Sequence, residues 1–200
     1  MQLTAPATVC AVRAQGETGT LVRLLTVEAG LVGAFVAGGR GRQLRPVLIP
    51  GNLVSAEIAT RGAGGLAYAR VELLASRAPF LSEPLPAAAI GWLTTLTAAT
   101  LPERHPYPAL HSALEAALDA VCHAPSARGW VPALLGYERL LLRDLGYGEG
   151  AVDADPAVQI ARQGAVIARH LFAERPLAER GRDVMGARER LADLIVRMAG

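Results

Sequence analysis

The hydrophobic pattern of this chain changes period near residue 80. Before that point, short apolar or β-branched runs alternate with turn-forming sequences. Ala7–Ala14, Thr20–Thr26, Leu31–Ala37, Asn52–Thr60 and Leu66–Arg77 read as five strands. The turns between them are Gln15-Gly16-Glu17-Thr18-Gly19, Val27-Glu28-Ala29-Gly30 and the glycine-rich hairpin Arg61-Gly62-Ala63-Gly64-Gly65. Leu53–Ala59 alternates only in part. Five strands this short suit a small closed barrel, because closure hides the edges that such a sheet would otherwise expose. The longest connection, Gly38 to Gly51, falls between strands three and four, where an OB barrel places it. It starts basic and glycine-rich and ends as an apolar plug, Val47-Leu48-Ile49.

After Arg77-Ala78-Pro79 the period becomes helical. Pro79, Pro84 and Pro86 mark a linker, and Ala87–Thr100 and Tyr107–Ala124 follow as the first two helices. In the second, Leu110, Leu114, Leu118 and Val121 share a face. Ser126 is placed to cap a third helix that ends at Leu145 before Gly146. Pro132 either kinks the first turns of that helix or begins its regular part. Asp155-Pro156 opens a fourth helix reaching about Ala173, and a last one spans about Asp183 to Met198. The fold class expected is therefore α+β in two domains. Residues 1–78 form a five-stranded OB barrel, and residues 79–200 form an all-α domain.

Composition narrows the function classes. Hydrophobic residues make up 52% of 200, enough for a packed core, and no apolar run is long enough to span a bilayer. The start, Met1 to Cys10, lacks the pattern of a secretory signal, so a cytoplasmic protein is expected. Cys10 and Cys122 read as small core residues, since two thiols cannot complete a four-ligand zinc site. The net charge of +2 is uneven. Residues 1–80 hold eight arginines against four glutamates, so an anionic partner is expected for this half. All 20 basic residues are arginine, as GC-rich coding would produce, and each offers a fixed fork of donors.

Several stretches, in order and spacing, resemble the RecO family of recombination mediators. Val12-Arg13-Ala14-Gln15-Gly16-Glu17-Thr18 with Val22-Arg23-Leu24-Leu25-Thr26 resembles its opening hairpin. Ala37-Gly38-Gly39-Arg40-Gly41-Arg42 resembles its glycine-arginine loop, and Leu48-Ile49-Pro50-Gly51-Asn52 the approach to its fourth strand. Tyr137 to Tyr147, Arg169-His170-Leu171-Phe172 and Ala187-Arg188-Glu189-Arg190-Leu191 resemble its later helices. Many members carry a four-cysteine zinc module after the helix that ends here at Gly146. This chain passes from Gly148 to Asp155 without a cysteine, so no zinc and no other cofactor is expected.

The resemblance implies a non-enzymatic helper in DNA repair. It would bind single- and double-stranded DNA, anneal complementary strands and act with RecR to load RecA onto DNA coated by single-stranded-DNA-binding protein. It would grip that coating protein's C-terminal tail through its helical domain, in the cytoplasm and associated with the nucleoid, with no membrane partner. The candidate DNA-binding residues are Arg13, Arg23, Arg40, Arg42 and Arg45, whose guanidinium groups suit phosphate oxygens. The alternative is a protein-only adaptor with marginal DNA affinity. Phe35 and Tyr68 are the barrel's only aromatics and either could be core, so stacking is expected to contribute little. His111, Glu115 and Asp119 recur every four residues, as metal ligands can, but read as a wet helix face without a second ligand-bearing motif. No phosphate-cradling loop, nucleophile elbow or paired carboxylates appear.

Overall fold

The computed structural model describes residues 2–60, 65–148, 155–173 and 178–199. Residues 61–64 of the expected hairpin Arg61–Gly65, and residues 149–154 of the cysteine-free passage from Gly148 to Asp155, lie outside them. Five strands, β1 (Gln2–Gln15), β2 (Gly19–Thr26), β3 (Gly30–Val36), β4 (Leu53–Thr60) and β5 (Ala67–Ala75), close into a barrel in the order β1-β2-β3-β5-β4. This is the five-stranded OB arrangement. Neighbours are antiparallel except β3 and β5, whose parallel seam is only two pairs long, Ala34 with Ala67 and Phe35 with Tyr68.

Alternate residues point inward, as a pleated strand requires. The core draws Val22 and Leu24 from β2, Val32, Ala34 and Val36 from β3, Val54, Ala56 and Ile58 from β4, and Ala67, Ala69 and Val71 from β5. The frequent alanines fit the narrow interior. β1 serves two neighbours: residues 2–8 pair with β4 and residues 7–15 with β2, with an irregularity between Val9 and Ala11. It starts five residues earlier than the pattern predicted, because Pro6 does not end it. From Gln2 to Pro6 the strand is paired on one side only, so a residue without an N–H is tolerated there.

The long connection after β3 plugs the barrel. Leu48 is buried in the core, and Leu44 and Val47 pack against it. Helix-like bonds from Arg45 N to Gly41 O and from Leu48 N to Leu44 O coil the segment without making a regular helix. Asn52, fully buried, ties this plug down. Its Nδ2 donates to Pro46 O and Val47 O, each at 3.1 Å, and its Oδ1 accepts from the Arg77 N–H at 2.9 Å. The buried Arg77 side chain donates to Gly51 O.

After a short 3-10 turn, Ala78–Ser82, come α1 (Pro84–Thr100), α2 (Pro108–His123), α3 (Ala127–Asp144), α4 (Pro156–Ile167) and α5 (Ala178–Ala199). Pro84 and Pro86 belong to α1, not to a linker, since first-turn N–H groups have no intrahelical acceptor for a proline to forfeit. Pro132 lies inside α3, which already begins at Ala127. Ser126 is the cap residue but makes no side-chain bond there. Gly146, at φ 87°, closes α3 as expected: its N–H reaches Arg143 O and that of Tyr147 reaches Leu142 O. Regular helix stops at Ile167 in α4 and a π turn, Ala168–Phe172, continues it. α5 starts before Asp183 because one glycine, Gly181, weakens a helix without ending it.

The chain divides into two compact units, Met1–Ser82 with Thr94–His111, and Glu83–Leu93 with Ser112–Gly200. The second is organised around Glu138, a fully buried carboxylate on α3. Oε1 accepts from Trp92 Nε1 at 2.7 Å and Arg188 Nε at 2.9 Å. Oε2 accepts from Gln163 Nε2 at 2.7 Å and Arg188 Nη2 at 2.9 Å. Four helices thus meet on one side chain. Gly164 leaves the room: a Cβ there would overlap the Arg188 guanidinium.

Two stability experiments follow. Arg188→Ala strands a buried carboxylate and should cost about 3–5 kcal/mol, whereas exposed Arg190→Ala should cost no more than about 0.5 kcal/mol. Urea unfolding followed by tryptophan fluorescence measures this, since the only two tryptophans, Trp92 and Trp130, lie in the helical unit. Asn52→Ala leaves two part-buried carbonyls and one buried N–H without their partner and should cost about 2–3 kcal/mol. Hydrogen exchange should show faster exchange at residues 44–48 in that variant, and unchanged protection there would contradict the anchoring role.

Candidate nucleic-acid interface

The structure divides the five arginines singled out from the sequence. Arg40, Arg42 and Arg45 sit exposed along the plug segment, and Arg13 is exposed near the end of β1. Arg40 is held in place: its Nη1 donates to Gly16 O at 3.1 Å and Glu17 O at 2.9 Å, and its backbone N–H to Thr18 O at 3.1 Å. The plug is thereby fastened to the β1–β2 turn. Arg13 stands two pairs from that turn, opposite Leu21. Behind them Gly39 packs so closely on Thr20 and Leu48 that a side chain there would collide with both. Four arginines therefore share one end of the barrel, on a backbone fixed from beneath.

Arg23 is placed differently. It is half-buried on the outside of β2, where its Nη2 pairs with Glu103 Oε1 at 3.0 Å and its Nη1 donates to Ala98 O. Its Nη1 and Nη2 are engaged within the molecule while its Nε is buried without a hydrogen-bond partner among the described residues, and it does not join the other four. The segment that engages it lies against β3. Arg104 N donates to Leu31 O at 2.8 Å, Glu103 lies over Gly33, and the His105 carbonyl approaches Gly30 more closely than a Cβ would permit. The chain after α1 thus covers the outer face of β2 and β3.

Both barrel aromatics are on the outer surface, contrary to the reading that either could be core. Tyr68 is 51% exposed and Phe35 half-buried. Their rings meet edge to face, 5.8 Å between centroids at 77°. They line a groove of about 600 Å³ that crosses β3, β5, β4 and the start of β1. Arg70 and Glu57, directly opposite in the β4–β5 ladder, line it too, with Gln2 and Thr4.

Other candidates come to less. His111 is buried, Glu115 half-buried and Asp119 exposed on α2. Among the described residues no group of three or more histidine, cysteine or acidic side chains is gathered to hold a metal ion. Cys10 is buried and Cys122 half-buried. His170 is exposed and lies against Tyr147, 5.1 Å between centroids. No helix among the described residues is long and apolar enough to cross a membrane.

Comparison with known proteins gives the architecture a family. The sequence profile described as Recombination protein O N terminal matches residues 1–77, and that described as Recombination protein O C terminal matches residues 82–148. Proteins named DNA repair protein RecO are similar over most of this chain. That of Phenylobacterium zucineum is 38% identical over 149 residues, 74% of this chain and 60% of its own. That of Rhodospirillum centenum is 38% identical over 149 residues, 74% and 58% respectively. That of Paracoccus denitrificans is 34% identical over 164 residues, 82% and 66%. The chain spans about three fifths of the length of the first two relatives. Barrel and helices succeed one another as the two profiles do, and the chain belongs to the RecO family.

Proposed function

We propose that this chain is a non-enzymatic mediator in DNA repair and recombination, with the barrel (residues 1–78) as its DNA-binding part. It binds single- and double-stranded DNA through Arg13, Arg40, Arg42 and Arg45, with Arg23 supporting the barrel surface beside them. It anneals complementary strands and, with RecR, helps load RecA onto DNA coated by single-stranded-DNA-binding protein, whose C-terminal tail the helical part (79–200) grips. This places it in the cytoplasm, associated with the nucleoid. The observation that carries the reading is the run of exposed arginines on the plug of a RecO-family barrel. Annealing needs no catalytic group. Guanidinium groups screen the repulsion between two phosphate backbones, and base pairing then proceeds.

A second reading is a protein-only adaptor with marginal DNA affinity. It is favoured by Arg23, whose two terminal nitrogens are engaged internally, and by the excess of only four positive charges in residues 1–80.

Fluorescence anisotropy across a salt series separates the two. With four phosphates neutralised, log affinity should fall against log salt with a slope of about −3.6 on duplex and about −2.8 on single strands. Replacing Arg40, Arg42 and Arg45 together by alanine should flatten each slope by about 2–3 units. Binding that is absent or indifferent to salt, with capture of the tail peptide retained, would favour the adaptor.

A further inference from the structure

The groove across β3, β5, β4 and β1 has no part in the phosphate contacts above, yet it is the open cleft of the barrel that offers an exposed aromatic ring. OB barrels that bind oligonucleotides commonly do so on the face of strands two and three. Here the chain's own residues lie over that face: Glu103 sits above Gly33 and pairs with Arg23, and the His105 carbonyl sits on Gly30. A strand of nucleic acid arriving at the arginines cannot lie there. The groove is the alternative route. Its wall includes Ala37, after which the arginine segment begins, and Phe35, whose ring lies against Gly19, the residue just after the turn that Arg40 grips. The arginine end and the groove are therefore continuous on one surface.

The geometry points to this groove as a binding subsite for the unpaired bases of single-stranded DNA, with Tyr68 as the stacking platform. The inference rests on the polynucleotide reading above. Three features select bases over phosphates. Arg70 faces Glu57 across the ladder, so the local charge is balanced and attracts no polyanion of its own. Gln2, Thr4, Glu57 and Arg70 line the same groove and supply hydrogen-bonding groups for a base edge. Tyr68 is held by its edge-to-face contact with Phe35 and by the barrel seam, where the two residues pair, so its exposed surface is presented ready-made. The volume, about 600 Å³, lies within the roughly 300–1,000 Å³ of clefts that take small-molecule ligands. Bases in a duplex are stacked on one another and cannot enter, so this site distinguishes single strands from double strands.

The test compares unaltered protein, Tyr68→Ala and Tyr68→Phe on a labelled oligothymidylate, on an abasic strand of equal length and on a blunt duplex. Loss of one stacking platform should weaken oligothymidylate binding roughly 5- to 150-fold. Tyr68→Phe should retain most of that affinity, and duplex binding should be unchanged in both variants. The abasic strand should bind all three proteins alike. Tyr68→Ala binding oligothymidylate as tightly as unaltered protein would overturn the inference and leave the groove to some other ligand, such as a protein segment. Failure of the unaltered protein to bind any of the three ligands would overturn the mediator reading itself, and this inference with it. Photocrosslinking of unaltered protein to a bromouracil-substituted strand gives a readout that needs no variant. Adducts should fall on the peptide ending at Arg70, and adducts confined to other peptides would contradict the assignment.

Discussion

One buried amide, that of Asn52, decides where the positive charge of this barrel is held. A five-stranded barrel lined with alanine and valine leaves one end to be filled, and the chain fills it with Leu44, Val47 and Leu48. Such a plug brings backbone carbonyls partly out of water, where a donor within the protein stabilises them. Asn52 supplies two N–H groups to Pro46 O and Val47 O while its oxygen takes the N–H of Arg77, two residues past the last strand's end. Plug, fourth strand and barrel exit are fastened through one side chain. The arginines on the plug's outer surface inherit that rigidity, and Arg40 extends it to the β1–β2 turn. A basic loop of glycines and arginines would otherwise lose much of its binding energy to ordering.

The cover over β2 and β3 has the opposite effect. Arg23 belongs by sequence to the same basic half, yet its pairing with Glu103 commits it to holding the segment after α1. The strand face most often used by barrels of this type is thereby closed, and the surface around Tyr68 is left open. Arginine chemistry alone does not sort these roles; what each guanidinium meets does. Arg40 also donates to protein carbonyls, but it remains exposed and its partners are neutral, so its charge is uncompensated at the surface.

Much of this was legible in the sequence, and the parts that were not share a physical cause. Strands and helices could be read because each buries one face, and inward positions such as Val32, Ala34 and Val36 keep a period of two. Boundaries failed at prolines: Pro6 sits where β1 has a single neighbour, and Pro84 and Pro86 where a helix has no use for their N–H. Arg23 and Glu103 are separated by 80 residues, and no local pattern links them. The available hint was indirect, a glycine in mid-strand at Gly33, which often marks the close approach of another segment. The Glu138 cluster was equally hidden, with only Gly164 to suggest that something large needed space. Tyr68 is a different case. Ala67, Ala69 and Val71 alternate inward, so the same period already turned Tyr68 and Arg70 outward.

In the proposed role, the division between an arginine end and a single aromatic platform has a consequence for annealing. A protein that brings two strands together must hold each one and still surrender its bases to a partner strand. Holding through phosphates survives that transfer, because a duplex carries the same backbone at higher charge density. Holding through stacking does not, since a base cannot lie on Tyr68 and within a helix at once. One exposed ring secures a base by an amount that pairing and stacking in a new duplex can exceed, whereas a row of such rings would compete with it. The scarcity of aromatics on this barrel is then not a weakness of the DNA-binding reading. It is the balance that lets electrostatic contact outlast base contact as strands pair.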